Sequence, residues 1–137
     1  MANSAGHISF PEVKRELLQI LLDVGFVAVG RGMQSSAENI FSGVFAVRPE
    51  SELPVIGLAF AKMCFGDFTS ASKLIIETAL VLNPNSDLAK SFLGIISFYC
   101  GATKEASIIL SDVLAKNKDE TSVKIAQSII QEINQKS

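Results

Sequence analysis

Three small residues recur along the chain at fixed intervals. Gly25, Gly32 and Ala37 are separated by seven and then five positions, and the same spacings return at Ala59, Gly66 and Ala71 and at Gly94, Gly101 and Ala106. The triplets are offset by 34 and then 35 residues. Glycine and alanine are too sparse here for nine matches in nine slots to be chance. Such a period holds two antiparallel helices that must pack closely. One small residue is needed on each helix where they cross (Gly25, Ala59 and Gly94, then Ala37, Ala71 and Ala106). Between them the first helix must stop, and glycine adopts the left-handed stop conformation at little steric cost (Gly32, Gly66, Gly101). "GDFTSA" (66–71) is the clearest such turn, with Asp67 or Thr69 available to cap the next helix. Pro49 lies twelve positions after Ala37 and Pro84 thirteen after Ala71, so each second helix ends at a proline. The extra residue of the second unit falls between Ala71 and Pro84, and Lys118 fills the proline slot of the third.

A 34-residue helix–turn–helix period with these small residues resembles the tetratricopeptide repeat. The expected fold is all-α, an α-solenoid of three tandem repeats (about 18–50, 52–85 and 87–118) closed by a C-terminal capping helix (about 121–135). The spacing predicts helices over about Pro11–Gly30, Ser35–Val47, Glu52–Phe65, Thr69–Leu82, Ser86–Cys100, Thr103–Lys116 and Thr121–Gln135. The last places Val123, Ala126, Ile129, Ile130 and Ile133 on one stripe, as a cap over the open end of a stack requires. Residues 1–9 are polar and expected to be disordered, and 10–137 form one domain without a linker.

Composition narrows the function. Twelve basic and fourteen acidic residues give a formal charge of -2 with no run of like charges, which leaves no footprint for nucleic acid or an anionic membrane. The chain is 48% hydrophobic and only 19% charged, apolar for its size, so either the core is large or some apolar surface is meant to be covered by a partner. The longest apolar stretch, "SFLGIISFYCGA" (91–102), is too short to span a membrane, and the N-terminal sixteen residues show no secretion signal. Cys64 and Cys100 are expected to be free thiols, buried or lining a groove. The sole histidine, His7, has no Cys/His cluster around it, so no metal site is expected. "GRGMQSS" (30–36) follows a helix and lacks phosphate-loop spacing, and Glu16, Asp23, Glu77 and Asp112 stand singly on helix faces. Neither a cofactor nor an enzymatic activity is expected.

In a tetratricopeptide stack the first helix of each repeat lines an inner groove where partner segments bind. The register then gives as groove positions Leu22, Phe26 and Val29; Leu53, Ile56, Phe60 and Met63; and Leu88, Ser91, Ile95, Phe98 and Tyr99. The set is almost wholly apolar and suits an amphipathic helix laid along it. The same residues would equally serve as packing between helices. Lys, Arg and Asn are absent from the set, which argues against the clamp that co-chaperones of Hsp70 and Hsp90 close on a C-terminal carboxylate.

A narrower resemblance lies in "AENIFSGVFAVRPESELPVIGLAFAKMCFGDFTSASKLI" (37–75) and "AKSFLGIISFYCG…SDVLAKNKDE" (89–120). These stretches, and about residues 17–133 as a whole, resemble the small tetratricopeptide-like proteins of bacterial type III secretion. That group includes the chaperones that hold the needle subunit. The resemblance implies a cytoplasmic chaperone without ATPase activity that masks the apolar C-terminal helix of a needle or other early subunit. A second small helical co-chaperone would complete the complex, and the free protein would tend to self-associate. A tetratricopeptide adaptor that holds folded partners on its outer face is the other reading.

Overall fold

Wherever a first helix must stop, the backbone closes in the same way. The computed structural model of the chain describes residues 15–136. Its first helix, α1 (Arg15–Gly30), is followed by Gly32 at φ 76°. The third and fifth, α3 (Leu53–Cys64) and α5 (Asp87–Tyr99), are followed by Gly66 at φ 90° and Gly101 at φ 93°. In each case the amide after the glycine reaches back five residues: Met33 to Ala28 O (2.9 Å), Asp67 to Lys62 O (2.8 Å) and Ala102 to Ser97 O (2.8 Å). Three identical Schellman closures therefore turn three hairpins the same way. The second members are α2 (Gln34–Val47), α4 (residues 68–82) and α6 (Thr103–Lys116). Among the described residues there is no strand.

The expected helices are present with ends shifted by a residue or two. The start expected at Pro11 lies outside the described residues, as do His7 and residues 1–9. Asp67 rather than Thr69 caps α4, its Oδ1 accepting the Ser70 amide at 3.0 Å. α2 ends at Val47 and α4 at Leu82, each two residues short of its proline. The third unit lacks the proline, and there Asn117 ends α6 in the left-handed region at φ 48°.

α4 holds the extra residue. It begins as α-helix (Phe68–Leu74), widens to a π-helical turn (Ile75–Ala79) and finishes as α-helix (Leu80–Leu82). The Leu80 amide accordingly bonds Ile75 O, five residues back. The inward positions show why the turn widens. They are Ala37, Phe41 and Val44 in α2, Ala71, Ile75 and Ala79 in α4, and Ala106, Leu110 and Val113 in α6, all 3% exposed or less. Only α4 has three residues between its second and third positions where the others have two, so the surplus is taken up between Ile75 and Ala79.

The small residues sit where bulk meets them. A Cβ on Gly25 would come within 2.7 Å of the Phe41 ring, and one on Gly57 would overlap the same ring. Phe41 is thus wedged between a glycine of its own unit and one of the next. Leu110, in the equivalent slot, packs likewise on Gly94. Polar clips join the units at the rim: Lys62 pairs with Glu38 (3.3 Å), while Glu52 accepts from Asn83 (2.7 Å) and Ser86. The last helix, α7 (Glu120–Lys136), buries Ser122, Ala126, Ile129 and Ile133 against α5 and α6. Val123 and Ile130 of the expected stripe lie half-buried at its margins.

Candidate partner-binding groove

The inner helices α1, α3 and α5 carry a row of phenylalanines across the stack. Phe26 meets Phe41 edge-on (5.0 Å between ring centres) and leans on Phe60 (5.9 Å), which meets Phe92 at a right angle (5.7 Å). Edge-to-face contacts of this kind hold rings in place and fix the floor from which the surface rises. Phe60 opens into a depression of about 480 Å³ that it lines with Met63, Cys64, Phe68, Ile95, Tyr99 and Ile129. No charged side chain is among the seven. α3 supplies three of them, α5 two, and the start of α4 and the middle of α7 one each. Tyr99 stands at the mouth, 55% exposed, and packs edge-on against Phe98 (5.0 Å). Lys136 Nζ lies 5.1 Å over the other ring of that pair and ties the end of α7 to α5. Partial burial pushes the Cys64 thiol up, so it meets a ligand as a neutral, polarisable group.

The expected groove positions divide. Phe60, Met63, Ile95 and Tyr99 come together in the depression, and Phe26 joins through the phenylalanine row. Ile56 is 1% exposed in the central core and offers a partner no surface. Leu22, Val29 and Phe98, all under 10% exposed, also turn into core clusters. Leu22 shares its slot with the buried Ile56 and Ser91, whereas Val29 and Phe98 share theirs with Met63, so in that slot only the second unit reaches the depression. Ser91 is buried with its hydroxyl donating to Leu88 O at 2.7 Å. Leu53, 40% exposed, and Leu22 border a separate, polar hollow with Arg15, Gln19, Arg48 and Glu50. Leu88 borders another with Glu52, Asn83 and Lys118.

Three lining residues escaped the register. Cys64 shares the slot of Gly30 and Tyr99, so Tyr99 alone already pointed to it. Phe68 is the first residue of its helix, in a slot that is Gln34 in the first unit and Thr103 in the third, and an aromatic residue there was a readable signal. Ile129 belongs to the capping stripe, and nothing local separates a residue that caps from one that also walls a groove.

Comparison with solved structures settles the architecture. The first TPR domain of human RPAP3 superposes with a TM-score of 0.69 at 19% identity, covering 86% of this chain and 90% of that one. The fold is the tetratricopeptide one. The first TPR of Spaghetti (RPAP3), bound to the HSP90 peptide SRMEEVD, gives 0.66 at 19% identity over 90% and 94% of the two chains. The type III secretion translocator chaperone SycD of Yersinia enterocolitica gives 0.68 at 16% identity over 91% and 97%. No family model and no curated protein matches the sequence. Among the described residues no group of three His, Cys, Asp or Glu could hold a metal ion, and no helix is long and apolar enough to cross a membrane.

Proposed function

We propose that this tetratricopeptide domain is a cytoplasmic chaperone of bacterial type III secretion that masks an apolar helix of the needle or another early subunit before export. The observation that carries the reading is the uncharged depression lined by Phe60, Met63, Phe68, Ile95, Tyr99 and Ile129. An amphipathic helix presenting aliphatic residues at i, i+3 and i+7 would bury them there, and Met63 with the aromatics can adapt to their shape. The sequence resemblance to type III secretion proteins and the shared fold with a secretion chaperone support the same choice. A peptide ending in acidic residues, like the one on Spaghetti, would find no cation among the lining residues. The chaperone acts by covering surface: what it holds cannot polymerise until the export machinery takes it. A small helical co-chaperone is part of the proposal.

Co-expression with the needle subunit of the same secretion system tests this. Tyr99→Glu and Phe60→Glu are expected to lower cargo retention at least about tenfold while far-UV helicity is unchanged, because a charge is forced against an apolar helix. Glu77→Lys, on the outer face of α4, is expected to retain cargo. The converse pattern would favour the adaptor reading.

A further inference from the structure

The inner helices α3 and α5 end at the apolar depression and begin at a polar hollow. The hollow measures about 320 Å³, and Glu52, Asn83, Asp87, Leu88, Lys118 and Asp119 are among its walls. Three carboxylates thus border it against one amine. Two of the three are engaged within the protein. Glu52 accepts from Asn83 (2.7 Å) and Ser86, and Asp119 Oδ2 accepts from the amide (2.9 Å) and hydroxyl of Ser122. Asp87 is different. It is 6% exposed, and its Oδ1 is enclosed without a hydrogen-bond partner. The register shows how the gap arises. Asp87 holds in the third unit the slot of Glu52 in the second, while the slots of the donors Asn83 and Ser86 pass to Asn117 and Glu120. Glu120 is a carboxylate and donates nothing. Lys90 and Lys116 lie near enough to feel the charge of Asp87, but Lys116 Nζ pairs with Asp112 (3.1 Å) and Lys90 lies beside Lys116. An enclosed carboxylate oxygen without a donor is costly, and a ligand that brings a donor removes the cost. No group of three His, Cys, Asp or Glu among the described residues could hold a metal ion, so the fitting ligand is a cation with directional N–H donors.

We propose that the hollow takes a lysine or arginine side chain of the protein held in the groove, its ammonium or guanidinium donating to Asp87. This deepens the reading of the groove and rests on it. Spacing along the inner helices argues that one ligand meets both sites. Leu88, Ile95 and Tyr99 lie on one stripe of α5 at i, i+7 and i+11, the first at the hollow and the other two in the depression. Glu52 and Met63 repeat the eleven-residue interval along α3. Eleven residues of helix span about 16 Å, or about three turns. A helix laid along this line therefore reaches the hollow with a basic residue about three turns from its apolar anchors. Its direction follows from charge. α5 presents its N-terminus at the hollow, so an antiparallel ligand brings its C-terminal end there, where its own dipole favours a cation.

A labelled peptide of the needle subunit's C-terminal helix, titrated with the full chain and followed by fluorescence anisotropy, tests this. Asp87→Asn removes the charge and keeps the shape. It is expected to weaken binding about tenfold or more and to flatten its dependence on salt. The thermal midpoint of Asp87→Asn should stay level or rise, because an enclosed unpaired charge is lost. Glutamine in place of the peptide's basic residue, about three turns past its apolar anchors, should weaken binding equally, and both changes together should cost no more than either alone. If Asp87→Asn binds the peptide like wild type while Tyr99→Glu still releases it, the inference is overturned and the groove reading stands. If Tyr99→Glu also binds like wild type, the groove reading fails and the inference with it. A peptide that binds without a lysine or arginine at that distance overturns the inference as well. So does free arginine that raises the thermal midpoint of wild type but not of Asp87→Asn when peptide affinity is the same for both, since the hollow would then belong to a small cation.

Discussion

Phe41 shows how closely single atoms control this stack. Its ring fills the space that hydrogen leaves at Gly25 and Gly57, and either methyl would be driven into it. Gly25→Ala is expected to destabilise the protein by about 1–3 kcal/mol, as overpacking does in a well-filled core. Gly30, one turn further along the same helix, has nothing within 4 Å of a built Cβ. Gly30→Ala should therefore stabilise by about 0.5 kcal/mol through helix propensity and a less disordered unfolded chain. Urea denaturation of the two variants side by side checks both signs. The pair also marks what sequence can and cannot supply. Gly25 was legible because its slot repeats. The contact of Gly57 with Phe41 joins residues of different units, and no local spacing announces it.

At the scale of the helices, two devices carry testable consequences. The first is the capping carboxylates. Hydrogen bonds from the Ser70 hydroxyl and amide hold Asp67 below the usual carboxylate range, and Ser122 does the same to Asp119 at the start of α7. A carboxyl whose folded value is depressed contributes stability above its unfolded value near pH 4, and loses that contribution as pH falls through the folded value. The urea midpoint should thus fall between about pH 5 and pH 3, and fall less in Asp67→Asn/Asp119→Asn, whose amides cap without titrating. The second device is the π turn of α4. Deleting Glu77, exposed within it, should let Ile75 and Ala79 resume α-helical spacing at a cost within about 1 kcal/mol. Deleting Asn39 from α2 would rotate Phe41 and Val44 off the inward face and should abolish the cooperative transition. Circular dichroism during urea titration distinguishes the cases.

For the whole molecule, the C-terminal helix does more than close an end. Ala126 is fully buried between α7 and the third unit, while Ile129, three residues on, reaches the groove wall. Ala126→Asp should cost about 3 kcal/mol or more, by burying an unpaired carboxylate, and should loosen cargo retention with it. Thermal unfolding and co-purification read the two effects together. The architecture was legible because helix stops, crossings and prolines recur, and a feature that recurs three times outweighs local noise. The groove was only partly legible. Along α3, Ile56 and Phe60 lie one i+4 step apart, yet one is enclosed and the other meets the depression. That step turns a helix by about 40°, less than the breadth of an apolar face, so periodicity identifies the face without saying which edge of it opens.

The surplus residue in α4 behaves like a dislocation trapped in a crystal. On one side of it Ala71 and Ile75 keep the spacing of the first unit, and on the other Pro84 and all that follows are displaced by one position in sequence but by none in packing. The defect is confined to a single turn of an outer helix, and Ile75 and Ala79 at its two ends are both fully buried. A surplus residue that such a turn absorbs is thus nearly silent at the groove, and the outer face of α4 can diversify there while the surface that meets cargo keeps its dimensions.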